Sequence, residues 1–147
     1  MAPGNAENPT QSPYIIALCQ QKGGVGKTTA AACLGAGLAQ SGKNVLLLDL
    51  APSGNLTASF GINLNRVKRS TTDLFEGTYP PTSLIKPTMI KGLNLIPAQT
   101  SLTDLTKDLQ QKKNNEQHLQ HILAGDGIPD YDIIILDFPP GLTLLTV

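Results

Sequence analysis

The 147-residue chain has no tryptophan, and only 4% of its residues are aromatic. That excludes the stacked-ring platforms with which proteins hold single-stranded nucleic acid. Its two cysteines, Cys19 and Cys33, are too few for a disulfide framework and form no CxxC pair for a metal. A reducing, cytoplasmic setting is the expectation. Net charge is missing as well: eleven Lys and Arg balance eleven Asp and Glu. No bulk field draws such a chain to phosphate backbones, so nucleic-acid contact has to come from a local patch. No apolar run approaches the roughly 18 to 20 residues of a membrane span, and the longest candidate, residues 30–39, is broken by glycines. Residues 1–12 are rich in Pro, Asn and Gln and lack the basic start and apolar centre of a signal peptide. They read as a solvated, disordered tail.

What is there is a 40% apolar composition, enough for one domain that buries roughly 70% of its unfolded surface. Residues 14–19, Tyr-Ile-Ile-Ala-Leu-Cys, form an apolar run too short for a helix, as in a strand buried on both faces of a sheet. Residues 45–48 and 133–136 repeat the pattern, each ending at an aspartate, Asp49 and Asp137. Three such runs point to a parallel α/β sheet. Between the first two, residues 28–41 place Ala30, Cys33, Leu34, Gly37 and Leu38 on one helical face, with Gly42 as the stop. Strand, glycine turn, helix and strand make a right-handed βαβ unit. Short helical turns are expected at 55–60 and 72–76, and a fourth strand at 93–96. Ser101, with Asp104 three residues on, caps an expected helix carrying Leu102, Leu105 and Leu109. The apolar pattern resumes at Leu119, Ile122 and Leu123, turns at residues 125–127, and a new element begins at 142–147.

The chemistry concentrates after the first strand, where Lys22, Gly23, Gly24, Val25, Gly26, Lys27, Thr28 and Thr29 lead into the first helix. Glycines let backbone N–H groups converge on phosphate oxygens, the helix N-terminus adds its positive end, and Lys27 adds a point charge. Thr28 supplies a hydroxyl ligand for Mg²⁺. Counting back from Gly26 puts Gln21 where the ordinary G-x-x-x-x-G-K-[ST] motif has its first glycine, and Lys22 follows. Asp137 ends its strand before Phe138-Pro139-Pro140-Gly141 and projects toward the crevice where such sheets bind ligands.

This K-G-G-x-G-K-T-T form resembles the deviant Walker A motif of the ParA/MinD family of P-loop ATPases. Asp49-Leu50-Ala51-Pro52-Ser53-Gly54-Asn55-Leu56-Thr57 contains a segment similar to the D-x-D-P-Q-G-N of ParA-type members, with Ala51 for the second aspartate and Ser53 for the glutamine, and its Gly54-Asn55-Leu56-Thr57 points to the ParA branch. The double proline after Asp137 also points to the ParA branch. The resemblance runs from residue 14 to residue 147 and implies a P-loop NTPase fold, a mostly parallel sheet with helices on both faces. It implies ATP and Mg²⁺ as cofactors, with residues 22–29 binding nucleotide and Thr28, Asp49 and Asp137 around the metal. Lys22, Lys27 and Asp49 carry the catalytic roles, Lys22 by reaching across a nucleotide-sandwich homodimer to the partner's ATP. A ParB-like partner protein, non-specific DNA bound through further C-terminal sequence, a nucleoid-associated location and no membrane contact follow from the same family. Its members run to one and a half to two times this length, so the chain reads as the N-terminal part of such an ATPase.

In the family the second aspartate of D-x-D helps to position the attacking water. Alanine has no lone pair for that task, so Ala51 implies slow or deficient hydrolysis. The alternatives are an iron–sulfur or metabolic relative that shares the loop, and a truncated nucleotide-binding module without catalysis. Cys19 and Cys33 read as buried small hydrophobes. His118 and His121 have no neighbouring ligand that would complete a metal site, and Arg66, Lys68 and Arg69 read as a solvated basic loop.

Overall fold

A computed structural model describes residues 12–100, 115–124, 128 and 130–140. The central strands are the runs with the most aliphatic side chains. β2 (Val45–Asp49) and β5 (Ile133–Asp137) are buried at every position, and β4 (Leu93–Ile96) at all but Asn94. With β1 (Tyr14–Leu18) and a short β3 (Lys86–Pro87) they form one sheet in the order β1-β5-β2-β4-β3. Every pairing is parallel except β3 with β4. The proline of β3 lacks an N–H, which an edge strand tolerates and a central one does not.

Strand side chains alternate between two layers. Val45, Leu47, Leu93, Leu95, Ile133 and Ile135 pack on one face with Ala31 and Ala39 of α1 (Lys27–Gln40) and Leu56 of α2 (Asn55–Ser59). Leu46, Leu48, Ile96, Ile134 and Leu136 pack on the other with Leu74 of α3 (Thr71–Glu76) and Leu119 and Leu123 of α4 (Asn115–Ala124). The parallel α/β architecture with helices on both faces therefore stands. α3 starts on a capping box: the Ser70 N–H donates to Asp73 Oδ2 at 2.8 Å and the Thr72 N–H to Ser70 Oγ at 3.2 Å. No helix among the described residues is long and apolar enough to cross a membrane.

Three expectations need correction. β1 is not buried on both faces: among the described residues it is the end strand of the sheet, paired with β5, and Tyr14 and Ile15 are 72% and 49% exposed. The inward face of α1 is Ala31, Gly35 and Ala39, whereas Ala30, Cys33, Leu34 and Gly37 are exposed. Small residues at spacings of four let the helix lie on the sheet, so close that a Cβ on Gly35 would sit 2.9 Å from Leu47 Cδ2. Neither cysteine is buried; both are exposed. The expected tail at 1–12 (bar Ser12), the helix from Ser101, the turn at 125–127 and the element at 142–147 lie outside the described residues.

Candidate functional site

The loop from β1 into α1 turns twice through left-handed backbone, at Gly24 (φ 73°) and Gly26 (φ 85°), which side chains other than hydrogen rarely adopt. Gly26 caps α1 with no side-chain hydrogen bond, and the first turn carries no acid. The first N–H groups of the helix are thus left for a ligand, at its positive end. Residues 23–29 line a groove of about 620 Å³. Ala51, Pro52, Ser53 and Asn55 close it on one side, and Phe138, Pro139 and Pro140 on another. Lys22 is exposed and does not line this groove.

Beneath the loop, Thr28 Oγ1 donates to Asp137 Oδ2 at 2.7 Å across 109 residues of sequence. The other carboxylate oxygen, Asp137 Oδ1, is buried and has no hydrogen-bond partner among the described residues. Burial pushes the Asp137 pKa up, opposed by the Thr28 hydrogen bond and the charge of Lys27. A buried carboxylate oxygen with no donor, next to a threonine hydroxyl, is the hard oxygen set that Mg²⁺ takes. The residues fit that cation.

Asp49 lies beside Asp137 in register on the neighbouring strand, yet its surroundings differ. It is fully buried and accepts from the Ala51 N–H at 3.1 Å, the Thr57 N–H at 2.8 Å and the Thr57 hydroxyl at 2.7 Å. Burial raises its pKa too; the bonds from Thr57 and Ala51 lower it, and the charge of Asp137 adds to the rise. Thr57 Oγ1 in turn accepts from the Ala98 N–H at 3.0 Å, and Thr71 Oγ1 donates to the Asp49 carbonyl at 2.9 Å. This carboxylate ties the start of α2 to the end of β2, and so holds the 51–55 loop against the groove. Gly54 closes that loop at φ 62°, where a Cβ would run into Leu64.

Of the residues singled out in the sequence, 23–29 come together in the groove, Asp137 reaches it through Thr28, and Asp49 stands behind it. The structure adds Phe138, Thr57 and Thr71. The double proline was a signal for the wall at 138–140, and Thr57 falls in the family-like segment 49–57, but nothing local shows that its hydroxyl serves Asp49. Among the described residues no group of three or more His, Cys, Asp or Glu side chains forms another metal site.

The arrangement can hold a chain of phosphates on backbone N–H groups and Lys27, with a divalent cation beside Thr28 and Asp137. Comparison with known proteins agrees. The chain is 41% identical over 133 residues to the sporulation initiation inhibitor protein Soj of Bacillus subtilis, covering 90% of this chain and 52% of that one. It is 38% identical over 136 residues to the chromosome partitioning protein ParA of Caulobacter vibrioides, covering 90% and 50%. Among solved structures, cobyrinic acid a,c-diamide synthase from Mycobacterium smegmatis, with bound ADP and magnesium, superposes with a TM-score of 0.79 at 34% identity, covering 87% of this chain and 51% of that one. The chain spans about half the length of the curated relatives it matches. The AAA-domain family model AAA_31 matches residues 13–147, and with its Soj and ParA homologues at about 40% identity the chain belongs to that family.

Proposed function

We propose that the chain is the nucleotide-binding part of a ParA-type partition ATPase that binds Mg-ATP and hydrolyses it slowly. The observation that carries the reading is the Thr28–Asp137 pair, with its unpartnered carboxylate oxygen, at the foot of a glycine-loop groove. The N–H groups of residues 23–29 and the Lys27 ammonium bind the phosphate chain. Thr28 and Asp137 hold Mg²⁺, which when bound neutralises phosphate charge. Asp49 serves the metal site from the second row, by fixing the 51–55 loop through Thr57. Lys22, exposed at the mouth of the loop, is free to meet the nucleotide of a second copy in a sandwich homodimer. A ParB-like partner, cargo or chromosome segregation, non-specific DNA contact through sequence beyond this chain and a nucleoid-associated, cytoplasmic setting complete the proposal; the relative named for chromosome partitioning supports the segregation role.

Slow hydrolysis follows from Ala51, which lines the groove as a methyl group that can neither orient nor deprotonate water. The likeness to a named amide synthase favours a second reading, in which the same loop drives a metabolic synthesis. A phosphate-release assay tests the first: the chain turns over slowly, and Ala51→Asp raises the rate by about a hundredfold, the scale of a positioned base. Fast turnover in the unaltered chain overturns the role given to Ala51.

A further inference from the structure

The two edges of the sheet are built differently. β3 is two residues long, Lys86 and Pro87, and runs antiparallel to β4. Shortness, a lysine and a proline are devices that keep an edge strand from pairing with another chain. β1, at the opposite end, has none of them. Its five residues are Tyr-Ile-Ile-Ala-Leu, and no Lys, Arg, Asp or Glu occurs anywhere from Asn8 to Gln21. Pro13 precedes the strand and leaves its edge free.

Hydrogen bonding turns one side of β1 outward. The Tyr14 N–H donates to the Asp132 carbonyl at 3.0 Å, and the Leu18 carbonyl accepts from the Phe138 N–H at 3.3 Å, so residues 14, 16 and 18 direct their main-chain groups at β5. Those of Ile15 and Ala17 point the other way, where no strand among the described residues meets them. The side chains along this edge are uncovered on both faces of the sheet. Tyr14 is 72% exposed and Ile15 49%, and Ala17 is exposed as well. Ile16 and Leu18, on the α1 face, are only half-buried. β5, an equally apolar strand with a neighbour on each side, is buried at every position.

We propose that β1 pairs antiparallel with β1 of a second copy of this chain, joining two sheets across a two-fold axis. A two-fold contact sets a surface against itself, which brings like charges together; a strand with no charges is compatible with its own copy. With Ile16 on the axis, Ile15 exchanges N–H and C=O with Ala17 of the second copy, and symmetry repeats the exchange. Tyr14 then stands opposite Leu18 of the second copy and Ile16 opposite itself, so each cross-strand pair is apolar. Pro13, which has no N–H to give, falls opposite Cys19 and ends the ladder. The pairing uses the flank of β1, whereas the nucleotide groove starts beyond the end of that strand, at Gly23. It therefore needs no nucleotide and is separate from the sandwich contact through Lys22. Five residues a side bury less than the roughly 1,200 Å² at which stable interfaces begin, so the dimer is weak, with a Kd of about 10 to 100 µM.

Sedimentation equilibrium of the full chain without nucleotide, from about 1 to about 300 µM, tests the pairing. The mass rises from one chain toward two across that range. Ile15→Lys and Ala17→Pro each weaken association by about tenfold or more; the proline removes an N–H from the open side and none from the β5 ladder. Met89→Lys, which adds the same charge at a side chain 95% exposed and away from β1, leaves association unchanged. In a chain carrying Cys19→Ser and Cys33→Ser, Ile16→Cys forms a covalent dimer on mild oxidation and Ile15→Cys does not, because only residue 16 faces its own copy. Melting at low concentration and the Mg-ATP shift are measured for each variant, so that loss of pairing is distinct from loss of the fold or of the nucleotide site. A chain that stays monomeric at the top of the range overturns the proposal. So does a mass that climbs past two chains, association that appears only with Mg-ATP, or an equal loss in Met89→Lys.

Discussion

The ends of β2 and β5 are nearly the same in sequence: a run of aliphatic residues, then an aspartate, then a turn with proline. Asp49 and Asp137 even stand opposite one another in the sheet. Asp49 has both oxygens occupied by three protein donors, whereas Asp137 has one oxygen on Thr28 and one on nothing. The first arrangement commits the carboxylate to the fold and the second reserves it for a ligand. The cause lies in the segment that leaves each strand. After Asp49 the chain turns back through Gly54 into α2, whose Thr57 returns to the carboxylate. After Asp137 the chain leaves through Phe138 and two prolines, which have no N–H to offer.

The largest effect expected from this contrast is on stability. Asp49→Ala leaves three buried donors without an acceptor, costs about 3 kcal/mol and lowers the Tm by about 10 °C. Asp137→Asn removes a buried charge that is only partly compensated, keeps an acceptor for Thr28, and leaves the ligand-free stability within about 1 kcal/mol of the unaltered chain. Thermal denaturation of the two variants side by side checks both, and equal losses would erase the distinction. Next in size is ligand linkage. With Mg-ATP at a hundred times its Kd the unaltered chain gains about 2.7 kcal/mol, and Lys27→Ala gains nothing; an unchanged melting shift removes Lys27 from the site.

The smallest effect is on pH dependence. Burial holds both carboxyl groups above the ordinary aspartate value of 3.8, so the folded chain takes up these protons before the unfolded chain does. The penalty for burying the charges is in force at neutral pH and is relieved as pH falls through the raised values toward 3.8. These groups therefore favour the ligand-free fold on the acid side. Urea denaturation at pH 7 and at about pH 5 should show a smaller acid-side gain in Asp137→Asn, while the Mg-ATP shift of the unaltered chain weakens as Asp137 protonates.

The same contrast explains what could be read from the sequence. The aliphatic runs at 45–48 and 133–136 identified the central strands, because a strand covered on both faces is apolar at each position. The glycine loop was legible because positive φ and phosphate approach both demand glycine. The face of α1 was not: Ala, Cys, Leu and Gly occur all round the helix, so periodicity selects no side and the choice falls to the fit of Gly35 on Leu47 and Leu93. The exposure of β1 was hidden because its apolar run looks like those of strands with two neighbours. The two aspartates were indistinguishable because Thr57 and Thr28, which separate them, lie eight and 109 residues away.

The most direct test of the central claim is calorimetric titration of ATP, with and without Mg²⁺, into the unaltered chain and into Asp137→Asn. If the unpartnered oxygen of Asp137 serves the cation, Mg²⁺ tightens ATP binding to the unaltered chain, and most of that gain is lost in the variant while binding of ATP alone is kept. An equal gain from Mg²⁺ in both proteins would contradict the assignment.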